Sequence, residues 1–319
     1  MFANRLAKEQ NPRCVDVSGS SVYLQSLGAG LVVTVTLLFS GCAPDPELRE
    51  ASYEDGANQV RCEPGARTGG VGITNDESTR EGIKFNVRTP LNYDPTIAHP
   101  LLMVYAPAKR SRMSTERFTD FTPEATAAGF VVAYADHRPL SPSSLVELAA
   151  APRLVAQKWC IDEDHIFLTG NSDGGTVAMG LAFIAGTKEL PAAIAPSAVG
   201  INRRDLSARQ CPDPIPVMVM HSANDRLFPG YGAEAVEWWA KCNKCELEAT
   251  EKLDNGCVAY SGCANGVQTW YCEGSDPHSK WPRLNNTIID FFVTSETAEA
   301  VANARNDQNG GIARGKPIP

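Results

Sequence analysis

Short apolar runs alternate with longer segments of helical spacing through most of the chain. Each run is bounded by glycine, proline or polar residues, which is typical of buried strands. The runs begin near Ile83, Leu101, Gly129, Ile166, Ile194 and Val217. Between them, Ser111 to Ala128 forms a crossover with Pro123 at a predicted helix start, and Ser143 to Trp159 is predicted as a helix. The alternation predicts an α/β fold whose mostly parallel central sheet is covered by helices on both faces.

The two ends of the chain lack this alternation. Residues 42–80 are rich in proline, glycine and charge without a sustained period, which predicts a tether. Residues 296–319, rich in Ala, Asn and Gly, predict a flexible tail. Residues 81–295 between them are predicted to form one folded domain, because 319 residues with 43% hydrophobic content can bury a single sizeable core.

An apolar stretch near the start of the chain indicates export. Residues 27–39 are too few to span a bilayer comfortably but suit the hydrophobic region of a signal peptide. They end in Ser40-Gly41-Cys42, which resembles a bacterial lipobox. Residues 1–41 are therefore predicted as a signal peptide of the lipoprotein type, with lipidation at Cys42. A plain signal peptide or a misassigned start codon is the alternative.

Cysteine content agrees with an oxidising compartment. Beyond Cys42 the chain has eight cysteines, an even number that in an exported protein predicts disulfides whose pairing the sequence does not reveal. They are Cys62, Cys160, Cys211, Cys242, Cys245, Cys257, Cys263 and Cys272. A zinc site built on Cys242 and Cys245 is the alternative, although the later cysteines do not form a second C-x-x-C pair.

A candidate nucleophile lies between an apolar run and a helix-compatible segment. Gly170-Asn171-Ser172-Asp173-Gly174 has the pattern G-x-S-x-G, with 166–169 before it and 176–183 after it. A sharp strand-to-helix turn strains the serine backbone, and the flanking glycines let the strand and helix approach each other. The context predicts a nucleophile elbow with Ser172 at its tip.

A base and an acid are expected after the serine in the order Ser, Asp, His. Of the two later histidines, His221 closes the apolar run 217–220 and is predicted to pack or hydrogen-bond there. His278, in a turn-rich loop, is then the base by elimination. Asp225 follows His221 by four residues, at the carboxyl edge where such sheets place their sites, and is the predicted acid. Weaker candidates for the acid are Asp173, Asp205, Asp213, Asp254 and Asp276.

These motifs together resemble a known family. G-N-S-D-G-G at Ser172, H-S-A-N-D-x-x-F-P at Asp225 and H-S-x-W-P at His278 are similar to the secreted polyhydroxybutyrate depolymerase and feruloyl esterase group of α/β-hydrolases, over residues 82–293. The resemblance implies an α/β-hydrolase catalytic domain over 81–295. It also implies a serine carboxylesterase that needs no metal or organic cofactor and acts on feruloyl- or acetyl-polysaccharides or on hydroxyalkanoate polyesters.

One turn departs from that family. The expected His-Gly-Cys type turn reads Tyr105-Ala106-Pro107, and proline has no N–H to donate to an oxyanion. We expect the N–H of Asp173 to be one oxyanion donor, and a reshaped turn to supply the second from Ala108 or Lys109. Side chains predicted to contact substrate are Tyr105 and Trp281. His137, after a strand end, borders the pocket or makes a surface hydrogen bond.

The expected partners follow from charge and export. The formal net charge of −8 argues against nucleic acid, and the membrane is contacted only through the lipid anchor. The protein is expected in the bacterial cell envelope or secreted, with a small or polymeric ester as substrate. Alternatives are a surface-anchored binding lipoprotein that has lost catalysis, favoured by the altered turn, and a peptidase or amidase on the same scaffold.

Overall fold

The computed structural model describes residues 45–51 and 60–295. The chain divides into a unit of residues 1–47 and a unit of residues 48–319, and the second unit carries the fold. The predicted signal peptide, the predicted lipidation site Cys42 and the predicted tail 296–319 lie outside the described residues.

Within the described residues, ten strands form one sheet. They are β1 (Ile73–Ser78), β2 (Lys84–Arg88), β3 (His99–Tyr105), β4 (Val131–Ala135), β5 (Ile161–Asn171), β6 (Ala193–Ser197), β7 (Val217–Ser222), β8 (Glu246–Lys252), β9 (Val258–Ser261) and β10 (Thr269–Gly274). Their order across the sheet is β1-β2-β4-β3-β5-β6-β7-β10-β9-β8. The six strands from β4 to β10 in that order run parallel, and the strands beyond them at both edges are antiparallel to their neighbours.

Helices connect the parallel strands. They are α1 (Arg112–Thr119), α2 (Thr122–Ala127), α3 (Pro142–Leu148), α4 (Ala150–Lys158), α5 (Asp173–Leu181), α6 (Arg203–Ser207), α7 (Tyr231–Cys242) and α8 (285–295). The single helix predicted over Ser143 to Trp159 is wrong, since α3 ends and α4 begins at Ala149. Pro152 lies in the first turn of α4, where its missing N–H costs nothing, whereas one unbroken helix would place it in the interior.

The sheet is buried on both faces, as its apolar runs predict. Along β3, Leu101 and Met103 pack into one core cluster while Leu102 and Val104 pack into the other, because successive side chains of a strand point to opposite faces. The prediction of a mostly parallel sheet covered on both faces is confirmed.

The predicted tether over 42–80 is wrong for its later part. Strand β1 pairs with β2 at the edge of the sheet, and a disulfide joins Cys62 to Cys160. The indole N–H of Trp159 donates to the carbonyl of Gly70 at 2.9 Å. The apolar pattern does not predict strand β1, because an edge strand buries little of its surface and this one carries polar residues.

The eight later cysteines form four disulfides, which confirms that prediction. The pairs are Cys62–Cys160, Cys211–Cys242, Cys245–Cys263 and Cys257–Cys272. Both cysteines of the alternative zinc site are thus in disulfides, and no group of three potential metal ligands occurs among residues 45–51 and 60–295. In that same part of the chain no helix has the length and apolarity to cross a membrane.

Candidate active site

The predicted elbow joins β5 to α5. Ser172 has φ 57° and ψ −119°, a strained combination for a residue with a side chain. A Cβ at Gly174 would lie 2.1 Å from the carbonyl oxygen of Tyr105, and one at Gly175 would lie 2.2 Å from that of Ser197. Glycine is therefore required at both positions, because the turn is pressed against the ends of β3 and β6.

The structure brings Ser172, His278 and Asp225 together although 106 residues separate the serine from the histidine. The hydroxyl of Ser172 lies 2.9 Å from Nε2 of His278, where it can donate its proton. Nδ1 of His278 lies 2.7 Å from Oδ2 of Asp225 and donates to it. The three side chains form one hydrogen-bonded series in the order that acyl transfer requires.

The carboxylate of Asp225 is held from several sides. Its Oδ1 accepts the backbone N–H groups of Leu227 at 2.8 Å and Phe228 at 2.9 Å. Burial alone would raise the pKa of Asp225, but the hydrogen bonds from His278 and from these N–H groups outweigh it and lower the pKa. Asp225 is thus ionised at neutral pH and oriented towards the histidine.

His221 packs beside the acid at the end of β7, in agreement with its predicted structural role. Its Nε2 donates to the carbonyl oxygen of Phe228 at 2.9 Å and lies 3.6 Å from Oδ2 of Asp225. Burial lowers the pKa of His221, so the ring is neutral at pH 7. Because the ring is neutral, it supports the turn that carries Asp225 without placing a second positive charge beside the carboxylate that His278 contacts.

The turn after β3 lies next to the elbow. The N–H of Arg110 donates to the carbonyl of Pro107 at 3.1 Å, and Lys109 between them has a left-handed φ of 61°. Among the described residues, neither Ala108 nor Lys109 has an acceptor for its N–H. The turn therefore offers free N–H groups near the elbow even though Pro107 itself has none.

His137 contacts the first residue after the serine of the elbow, which the sequence alone does not indicate. Its Nε2 lies 2.9 Å from Oδ2 of Asp173, the residue that follows the serine. The only sequence signal for this contact is the position of His137 just after β4. The contact ties the end of β4 to the first turn of α5.

The two predicted substrate contacts occupy less exposed places than expected. The ring of Tyr105 is 1% exposed in the core, so the prediction that it contacts substrate is wrong. As a residue of β3, Tyr105 points into the sheet packing while its carbonyl faces the elbow. Trp281 is also buried, edge-on to Phe121, and its indole N–H donates to Asn285 at 2.8 Å.

A cavity of about 310 Å³ adjoins the base and the acid. Its lining includes Asp225 and His278 together with Asn255 and Lys280, but not Ser172. This cavity therefore lies beside the loop that carries His278.

No family model matches the chain, and no curated protein matches it either. Solved structures do match it. An acetyl xylan esterase from Aspergillus awamori has a TM-score of 0.52 at 15% identity, covering 70% of this chain and 99% of that one. An S-formylglutathione hydrolase from Staphylococcus aureus has a TM-score of 0.50 at 12% identity, covering 70% and 98%. A fluorophosphonate-binding serine hydrolase of the same organism has a TM-score of 0.50 at 12% identity, covering 70% and 99%.

These similarities confirm the predicted α/β-hydrolase fold. The parallel strands, the elbow after β5 and the position of Asp225 after β7 occur in the arrangement that this fold uses. At such low identity the likeness concerns the fold alone, because one fold hosts many activities. The geometry of the site carries the chemistry.

Proposed function

We propose that this protein is a serine carboxylic ester hydrolase in which Ser172 is the nucleophile, His278 the general base and Asp225 the acid that orients it. The observation that carries the proposal is the hydrogen-bonded series from Ser172 to Asp225, with distances of 2.9 and 2.7 Å, at a strained strand-to-helix turn. The α/β-hydrolase fold of the esterases named above supports it.

In the first half of the reaction the serine becomes acylated. Oγ of Ser172 attacks the ester carbonyl carbon while Nε2 of His278 takes its proton. Asp225 keeps the proton on Nδ1 and stabilises the imidazolium. The tetrahedral intermediate then breaks its bond to the alcohol oxygen, and His278 returns the proton to the departing alcohol.

Water completes the cycle. His278 removes a proton from a water molecule as its oxygen adds to the acyl carbon. The second tetrahedral intermediate then breaks its bond to Oγ of Ser172, and His278 returns the proton to that oxygen. The products are a carboxylic acid and the restored serine. We propose the N–H groups of Asp173 and Ala108 as donors to the developing oxyanion, because the first opens α5 and the second has no acceptor among the described residues.

The proposed substrates are esters of extracellular polymers, of the feruloyl- or acetyl-polysaccharide type or of the hydroxyalkanoate polyester type. The motif resemblance over 82–293 supports this class, as do the four disulfides, which are typical of exported proteins. The S-formylglutathione hydrolase among the similar structures has a small thioester in its name, so a panel of esters has to decide between them.

A serine-directed fluorophosphonate tests the proposal directly. The parent protein is expected to be labelled and to hydrolyse a nitrophenyl ester, whereas Ser172→Ala is not labelled and loses about 10⁶ in kcat. Ser207→Ala, at an exposed position in α6, is the matched control and should keep both properties. Hydrolysis by Ser172→Ala at the parental rate would overturn the proposal.

The altered turn at Pro107 favours one other function, a surface-anchored binding protein with little or no catalysis. Under that function the parent protein itself resists the fluorophosphonate, because an incomplete oxyanion hole slows attack by Ser172. The labelling experiment on the parent therefore separates the two.

We further propose that Cys42 carries the lipid anchor. Acyl chains stabilise membrane attachment by about 0.8 kcal/mol for each buried CH₂, and two or more make it lasting. Cys42→Ala protein should leave the membrane fraction for the soluble one, as shown by fractionation and immunoblotting. Equal retention of Cys42→Ala would indicate that another element holds the protein.

A further inference from the structure

A groove of about 900 Å³ lies between α1 and the segment 279–287. Four cationic side chains line it: Arg110, Arg117, Lys280 and Arg283. All four are exposed, and none forms an ion pair with any other residue in 45–51 or 60–295. In a chain with a net charge of −8, such a cluster of unpaired cations indicates an anionic ligand.

Both walls of the groove continue from the candidate active site. On one wall the carbonyl of Arg110 accepts the N–H of His137 at 3.2 Å, and His137 in turn binds Asp173 beside the serine. On the other wall Lys280 follows His278 by two residues. The groove is therefore linked to the site by one hydrogen bond on one wall and by the chain itself on the other.

The lining carries more than positive charge. Asp120 and Glu124 also face the groove, which leaves an excess of two positive charges. Oε2 of Glu124 is buried and accepts no hydrogen bond from a described residue. The guanidinium of Arg110 lies over the ring of Phe118 at 4.3 Å from its centre, which limits its freedom. The matching ligand therefore has an anionic group for the cations and hydroxyl donors for the carboxylates of Asp120 and Glu124.

We propose that this groove is a subsite for a carboxylate-bearing sugar unit of an esterified polysaccharide. The sugar acid is the ligand class that combines an anion with several hydroxyl donors, whereas a hydroxyalkanoate polyester lacks the hydroxyls along its chain. The proposal rests on the esterase function proposed above, because it takes the groove as part of the path of the ester substrate.

A matched pair of substrates tests the subsite. Acetylated glucuronoxylan oligosaccharides are compared with the same oligosaccharides after reduction of their carboxyl groups to alcohols. At low salt the parent is expected to prefer the acidic substrate about tenfold in kcat/KM, and 0.5 M NaCl should reduce the preference, since exposed ion pairs are screened. Equal rates on the two substrates at low salt would overturn the subsite.

The test variant replaces two arginines that line the groove. Arg117→Gln combined with Arg283→Gln should abolish the tenfold preference while hydrolysis of the reduced substrate and of a nitrophenyl ester stays unchanged. Arg204→Gln, exposed on α6, is the control and should retain the preference. Equal losses on acidic and neutral substrates would show that the arginines act on structure, and would also overturn the subsite.

Binding separates this proposal from the esterase proposal. Ser172→Ala protein is titrated calorimetrically with deacetylated glucuronoxylan oligosaccharides, with and without the two arginine substitutions. Binding that the arginine substitutions weaken about tenfold supports the subsite even if no ester is cleaved, in which case only the esterase proposal fails. Absent binding, or equal affinity for polyglutamate, overturns the assignment to a sugar acid even if small esters are cleaved.

Discussion

The serine and the histidine of the candidate site are held in place by different kinds of structure. Around Ser172 the constraint is backbone packing, since a Cβ at Gly170 or Gly174 would lie within 2.7 Å of backbone atoms. His278 sits on a largely exposed segment, 275–284, and its ring is held by the carboxylate of Asp225 and by an edge contact with Phe228 at 5.1 Å between ring centres.

The position of Ser172 is thus fixed by backbone packing in the sheet, whereas the position of His278 depends on a few side-chain contacts. The elbow is part of the sheet packing, so its geometry follows wherever strand and helix assemble. The base depends on contacts from the connection between β7 and α7, so it can be displaced while the sheet stays intact. Substitutions around His278 should therefore change kcat more than they change the fold.

After Ser172→Ala, the largest expected effect comes from Asp225. Asp225→Asn should lower kcat by about 10⁴, because an amide neither enforces the Nδ1–H tautomer of His278 nor stabilises the imidazolium. Circular dichroism should show an unchanged fold, and Asp213→Asn, at an exposed position before β7, should keep full activity. A loss of less than tenfold in Asp225→Asn would mean that the base is oriented by other contacts.

The turn after β3 decides how many oxyanion donors the elbow has. If the reshaped turn supplies Ala108, Pro107→Gly loosens it and lowers kcat, because glycine gains conformational freedom. If there is one donor only, the same change restores an N–H and raises kcat by up to about 10² to 10³, the equivalent of about 3 kcal/mol. We expect the decrease, measured on a nitrophenyl ester with Pro64→Gly as control. An increase of tenfold or more would contradict the reshaped turn.

Two disulfides differ in their distance along the chain from the loop that carries His278. Replacing Cys257 and Cys272 by serine opens a bridge with a sequence separation of 15 and should lower the free energy of unfolding by about 3 kcal/mol. Because Cys272 lies in β10, directly before the base loop, kcat should fall as well.

The bridge from Cys62 to Cys160, with a separation of 98, is the control for that experiment. Its removal should cost more stability, about 4.7 kcal/mol in the chain-entropy model, yet leave kcat of the remaining folded protein unchanged. Chemical denaturation and kinetics on both double variants check this. Equal effects on kcat would show that the base loop does not depend on its neighbouring bridge.

The local sequence pattern was sufficient to predict structure where backbone geometry requires a particular type of residue. A Cβ at Gly170 would meet the backbone of Gly174 in the same turn, and one at Gly174 would meet the backbone of Tyr105 at the end of β3. The five-residue pattern therefore predicts the elbow, because only glycine allows this close approach. Apolar runs predicted five of the six parallel strands, β3 to β7, because those strands are buried on both faces. The sixth, β10, is only half-buried and was not predicted. Edge strands such as β1 carry polar side chains, and no local period distinguishes them from a tether.

Local sterics, burial and redox chemistry are readable from the sequence, and they were sufficient to predict the alternating strands and helices, the elbow at Ser172 and the disulfide-forming cysteines. Only the tertiary structure decided that His278 meets Asp225, that His137 binds Asp173, and which cysteines pair. It also decided that the ring of Tyr105 is buried. These facts depend on where distant segments come together, because a side chain has no contact partner until the chain around it has folded.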